Sequence, residues 1–146
     1  MKVLFVCTGN TCRSPMAEAF FNNLCLENKS EHSAFSRGIN VIIPQAISEK
    51  SRISLSNKNI IADKKLSKQL VFEDVKNADL ILTMTASHKM TLKSVFPEFK
   101  SKIYTLNEKA FGKDSDIADP FGLPQESYDK CCDEIADAVG ELLCSI

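Results

Sequence analysis

The apolar positions near the start of the chain change period within a few residues. Val3-Leu4-Phe5-Val6 is an unbroken apolar run, too short for a helix, which predicts a buried strand over residues 2–7. A polar loop comes next, and then apolar positions recur three and four apart. That spacing predicts a helix from residue 15 to about 28, with Met16, Ala19, Phe20, Leu24 and Cys25 facing inward and Pro15 in its first turn. A second strand is expected over 34–39, ended by Gly38 and Asn40. Ile42-Ile43-Pro44 leads into a short helix from 45 to about 51. Residues 53–67 are polar and lysine-rich, punctuated by Asn57 and Asn59, and read as a loop with a brief helical turn.

The second half repeats the alternation. A short helix over 70–76 turns through Asn77-Ala78-Asp79 into a buried strand over 80–84. Thr85 suits the N-cap of a helix running to about 95, and Pro97 bars its continuation. Residues 102–106 form the last strand. A polar loop with Phe111, Gly112 and Asp119-Pro120 then enters a helix from about 127 to 143, where Tyr128, Cys131, Ile135, Ala138 and Leu142 share one face. Cys131 reads as core, Cys132 and Cys144 as incidental. Strands alternating with helices imply an α/β fold: a mainly parallel sheet flanked by helices on both faces. Ligands bind such sheets beyond the carboxyl ends of strands, where Cys7 and Thr85 stand. Neither a repeat nor a linker interrupts residues 1–146, so a single domain is expected.

Composition narrows the function classes. At 146 residues with 44% hydrophobic content, the chain can bury a real core. A net charge of −1 gives no electrostatic case for nucleic acid or an anionic membrane as partner. The first apolar run is too short for a secretory leader, and no stretch is long enough to span a bilayer, so a cytoplasmic monomer is expected. Six cysteines at 7, 12, 25, 131, 132 and 144 are then free thiols, and without a Cys-x-x-Cys pair or a Cys/His set no metal site is expected. No cofactor is expected either.

The chemistry concentrates in Cys7-Thr8-Gly9-Asn10-Thr11-Cys12-Arg13-Ser14-Pro15. A loop between a strand end and a helix start turns backbone N–H groups toward the positive end of that helix, a cradle for a tetrahedral oxyanion. Cys7 at one end faces the anion, and Arg13 at the other can grip its oxygens with a planar fork. The ring of amide dipoles favours the thiolate, the nucleophilic form, and the Ser14 hydroxyl can donate to the sulfur. The bland alternative, a buried strand-end cysteine beside a surface arginine, leaves the rest of the loop unexplained.

This loop resembles the phosphate-binding loop of the low-molecular-weight protein-tyrosine phosphatases, and most of all the bacterial protein-arginine phosphatase branch. The resemblance continues through Ala78-Asp79-Leu80-Ile81-Leu82-Thr83-Met84-Thr85 and Asp119-Pro120-Phe121-Gly122 to the last helix. It implies a four-stranded parallel sheet with the phosphate loop after strand one. It also implies Cys7 as nucleophile, Arg13 as clamp, Thr8, Gly9, Asn10, Thr11, Cys12 and Ser14 around the phosphate, and Asp119 as general acid and base. Phosphorylated proteins would be the substrates and inorganic phosphate a product. Phe121 would partly desolvate Asp119, while Asp114 and Asp116 stand by as solvated alternatives.

Thr11 sits where tyrosine-directed relatives usually carry an aliphatic residue, and Phe121 where they tend to carry tyrosine; both resemble the arginine branch. Phosphoarginine is therefore the expected substrate, with phosphotyrosine second. Arsenate reductases share the loop but need two further cysteines, which the region from Met84 to Met90 lacks. A redox sensor or an inactive binder would not need Asp119. By the same resemblance Asn10 is braced by Ser36 and by Asn57, which replaces a usual histidine, and Asn40 stands where an aromatic wall is common. Cys12, on the same closed loop as Cys7, is expected to trap an oxidised Cys7 as a disulfide.

Overall fold

The computed structural model describes residues 1–62 and 64–146. Four strands, β1 (Lys2–Cys7), β2 (Ser33–Gly38), β3 (Leu80–Thr83) and β4 (Ile103–Thr105), form one parallel sheet in the order β2-β1-β3-β4. β1 lies inside the sheet, so its apolar run has both faces covered and Val3 to Val6 are fully buried. Val3, Phe5 and Cys7 point to one face, where α1 (Arg13–Glu27) and α6 (Gln125–Ser145) pack, Phe21 meeting Phe5 edge-on at 5.8 Å. Leu4 and Val6 point to the other, against Val75 of α3 (Phe72–Asn77) and Leu92 of α4 (Ala86–Val95). Burying each such side chain contributes roughly 1.5–3 kcal/mol, enough to fix which face of β1 each residue takes. Cys7 is thereby held at the carboxyl end of an interior strand.

Several boundaries differ from the sequence reading, each for a local reason. α1 begins at Arg13, and Ala17 and Phe21 are buried while Ala19 and Leu24 are only half-buried. The short helix after Pro44 is α2 (Glu49–Ser56), because Ser48 is the cap: its hydroxyl accepts from Ser51 N at 3.2 Å. Thr85 caps α4 as expected, accepting from His88 N at 3.1 Å. β4 stops at Thr105, whose hydroxyl accepts from Glu108 N at 3.0 Å and starts α5 (Leu106–Phe111), a helix the sequence reading missed. α5 ends at Gly112 with φ +68°, the left-handed conformation glycine adopts without strain. Cys132 is fully buried, not incidental; burial pushes its thiol up to about 11 and that of neighbouring Cys131 up to about 12.

Residues 68–70 line up beside the end of β2, so the helix expected from residue 70 starts only at Phe72. Gly38 N donates to Lys68 O and Leu70 N to Gly38 O, both at 2.9 Å. Gly38 also runs so close to the loop after β1 that a Cβ on it would meet Thr8 O at 2.8 Å. Among the described residues no helix is long and apolar enough to cross a membrane.

Candidate active site

The loop from Cys7 to Arg13 is shaped by hydrogen bonds to distant parts of the chain. The carbonyls of Cys7, Thr8 and Thr11 each accept at 2.9 Å, from the amides of Ile39, Asn40 and Ser48. A trans peptide plane that turns its carbonyl outward turns the N–H of the next residue inward, so the amides of Thr8, Gly9 and Cys12 face the loop interior. The N-cap of α1, Cys12, gives the first turn no side-chain cap, and no acidic residue sits in that turn. Those amides remain donors for an anion.

Asn10 is the keystone of the loop. Its φ is +58°, and its side chain is buried. Lys68 N donates to its Oδ1 at 3.0 Å, which fixes the orientation of the amide. Its Nδ2 donates to Ser14 Oγ at 2.8 Å and to Ser36 Oγ at 2.9 Å. Cys7 Sγ lies 2.9 Å from the same Ser14 Oγ, and once Cys7 is a thiolate the hydroxyl is the donor of that pair. Ser36 is therefore the expected brace. Asn57 is not: it caps the end of α2, exposed, and Lys68 takes the bracing role instead.

Arg13 is 4% exposed, and Nη1 donates to Ile117 O at 2.9 Å, which pins the guanidinium plane. Its Nη2 stands 3.6 Å from Asp119 Oδ2. The other oxygen of Asp119 accepts from Phe121 N at 3.1 Å. The desolvation expected from Phe121 is not there: its ring is 75% exposed, and the Asp119 side chain is 48% exposed. Cys7, Arg13 and Asp119 open on one cleft of about 450 Å³, which Thr8, Gly9, Thr11 and Cys12 also line, with Asn40 and Phe121 on the rim. A larger cavity of about 1080 Å³ lies behind Asn10, but it meets none of Cys7, Arg13 and Asp119. Asp116 is committed elsewhere, accepting from Ala86 N at 2.8 Å, and Asp114 is exposed.

Two side chains to which the sequence reading gave no place at the site, Tyr128 and His88, shape the surroundings. Cys12 Sγ lies within reach of two hydroxyls, Ser48 Oγ at 3.5 Å and Tyr128 OH at 3.9 Å. Burial, with the Cys12 sulfur beside it, pushes the Tyr128 phenol up to about 12, so it remains a neutral hydroxyl. On the other side His88 Nε2 lies 2.9 Å from Thr8 Oγ1. Burial first, and the Arg13 charge second, hold the His88 imidazole below its ordinary value. Histidine in the first turn after a capping threonine carries no sequence signal for this. Among the described residues, no group of three His, Cys, Asp or Glu side chains is placed to hold a metal ion.

Residues 2–146 match the family described as low molecular weight phosphotyrosine protein phosphatase. The chain belongs to that family. A protein-arginine-phosphatase of Geobacillus stearothermophilus is 40% identical over 141 residues, covering 97% of this chain and 93% of the relative. The crystal structure of a low molecular weight protein tyrosine phosphatase from T. tengcongensis has a TM-score of 0.96 at 39% identity, covering 100% of this chain and 99% of that one. A YwlE arginine phosphatase mutant with a phosphorylated active-site serine has a TM-score of 0.93 at 35% identity, covering 97% and 93%. The four-stranded parallel sheet and the strand–loop–helix at its start are those expected of the family.

Proposed function

We propose that this protein is a cysteine-dependent protein-arginine phosphatase, taking the phosphoryl group of phosphoarginine residues onto Cys7 and then onto water. The observation that carries the proposal is the convergence of Cys7, Arg13 and Asp119 on one cleft, at the mouth of a loop whose amides face inward.

The steps follow from that geometry. The Cys7 thiolate attacks phosphorus in line and the bond to the arginine nitrogen breaks, while Asp119 gives the departing nitrogen its proton. Inward amides and the free N–H groups of Arg13 stabilise the charge spread over the equatorial oxygens. Asp119, now a carboxylate, takes a proton from water, which attacks the phosphocysteine; the S–P bond breaks and phosphate leaves. Ser14, donating to the sulfur, makes it a better leaving group in this second step. Because Asp119 is half exposed, the substrate itself must complete its desolvation. Cys7→Ser removes the thiolate and keeps the cradle, so turnover is lost while phosphate still binds.

Thr11 on the cleft favours arginine as the phosphorylated residue: a short polar side chain gives a phenyl ring little apolar contact and suits a guanidinium nitrogen. The relatives named protein-arginine-phosphatase support the same choice. Phosphotyrosine is the second candidate, supported by relatives named as tyrosine phosphatases. The deciding experiment measures kcat/KM for one peptide carrying phosphoarginine and for the same peptide carrying phosphotyrosine. Preference for the phosphotyrosine peptide would overturn the arginine assignment; turnover of neither would overturn the phosphatase.

A further inference from the structure

His88 touches neither the cleft nor any of Cys7, Arg13 and Asp119 through a hydrogen bond, yet it is tied to the loop through Thr8. Its Nε2 is 2.9 Å from Thr8 Oγ1. Its Nδ1 is shut off from solvent and has no hydrogen-bond partner among the described residues. That combination selects a tautomer. A proton on Nδ1 would be a buried donor with no acceptor, the costlier defect; a bare Nδ1 lone pair is the lesser one. The proton therefore sits on Nε2 and is donated to Thr8. The charged groups around the ring are Arg13, Asp116 and Asp119, and burial with the Arg13 charge outweighs the two carboxylates, which keeps the ring neutral.

A threonine hydroxyl that accepts from a histidine has its own hydrogen left over. The Thr8 side chain is exposed on the cleft wall, beside Cys7 and Arg13. The groups that come to rest over Cys7 in this cleft are phosphoryl oxygens, which are acceptors. We propose that His88 is a positioning residue, which fixes the Thr8 hydroxyl so that it donates its hydrogen to the phosphoryl group. The inference rests on the reading that phosphate sits over Cys7, and not on the choice between arginine and tyrosine. It adds one side-chain donor to a cradle otherwise made of amides and Arg13. It also assigns a task to a histidine that stands outside the cleft.

The test uses the full chain, a small aryl phosphate as substrate and inorganic phosphate as competitive inhibitor. His88→Leu removes the donor, and Thr8→Val removes the hydroxyl while keeping the β-branched shape. Each is expected to weaken phosphate inhibition and to lower kcat/KM by about tenfold to a hundredfold, the scale of one hydrogen bond to a charged group. The double variant should be no worse than Thr8→Val alone, since His88 acts only through Thr8. His88→Gln, whose amide can still donate, should recover most of the loss, which a purely structural histidine would not predict. Thermal melts of all four variants separate folding from function. Wild-type inhibition in His88→Leu, multiplicative losses in the double variant, or no recovery in a folded His88→Gln would each overturn the inference. A wild-type enzyme that phosphate does not inhibit would instead sink the reading of the cleft as a phosphate site, and the inference with it.

Discussion

Replacing Asn10 with alanine tests whether the loop is held in shape from behind. The side chain makes three hydrogen bonds, to Ser14, Ser36 and the Lys68 amide, all between 2.8 and 3.0 Å. At about 0.5–1.5 kcal/mol net each, their loss amounts to about 1.5–4.5 kcal/mol. Backbone strain adds to it, because at φ +58° an alanine Cβ costs about 1–2 kcal/mol where asparagine is tolerated. The sum, about 2.5–6.5 kcal/mol, is less than a domain in the middle of the ordinary range of about 5–15 kcal/mol holds, so the variant is expected to remain folded. Ser14 then loses the partner that aims its hydroxyl at Cys7, and the loop carbonyls lose their fixed frame. If about 1.4 kcal/mol of the loss appears as loop opening, phosphate affinity falls about tenfold. Urea unfolding and phosphate titration of wild type, Asn10→Ala and Asn10→Gly measure both parts. Glycine should recover about 1 kcal/mol of the stability through relief at positive φ, yet little of the affinity. Unchanged phosphate affinity in a destabilised Asn10→Ala would refute the reasoning, since the side chain would then be core filler and not a brace.

Asp119→Asn should slow phosphoarginine cleavage by about a hundredfold to ten-thousandfold, and spare substrates whose leaving group departs without a proton. Equal losses on both kinds of substrate would give Asp119 a structural role. Gly38→Ala pushes a Cβ to 2.6 Å from Val41 Cγ2 and 2.8 Å from Thr8 O, and should cost about 1–3 kcal/mol in chemical denaturation along with activity. An alanine variant as stable and active as wild type would mean the chain gives way there freely. Mild peroxide should inactivate the enzyme reversibly, with phosphate slowing the loss, and Cys12→Ser should make the loss irreversible. Full recovery of that variant under reductant would leave Cys12 with its contacts to Ser48 and Tyr128 as its whole role.

The parts legible in the sequence were those set by near neighbours. The run Val3 to Val6, the helix period after Pro15 and the threonine at 85 each declare themselves within a few residues, and the sheet follows from their alternation. Cys7, Arg13 and Asp119 were legible through the loop's spacing and the family resemblance, and the cleft brings them together. The features that escaped depend on partners distant along the chain. Nothing in the polar segment before Leu70 signals that Lys68 will hold Asn10, nor that residue 88 will reach back to residue 8. α5 was hidden because Leu106 satisfies a strand pattern as well as a helix start, and only the Thr105 cap decides between them. Phe121 was expected to shield Asp119 from water, yet the Asx turn at Asp119 leaves it facing out.

The interior place of β1 has a consequence for synthesis on the ribosome. The first of the four strands to be made is flanked by β2 and β3, so it cannot complete its pairing until residue 83 has emerged. The loop after β1 is translated well before its supports: its keystone waits for Lys68, and Arg13 waits for Asp119. At about 5–20 residues per second, the hundred or so residues between Arg13 and Asp119 take on the order of 5–20 s. For the first part of that interval the nascent chain carries an unframed Cys7 thiol, and until residue 83 an apolar strand with its pairing incomplete. The active site is thus completed late, and a truncated product that ends before the last helix leaves the Val3 and Phe5 face of the first strand without its cover.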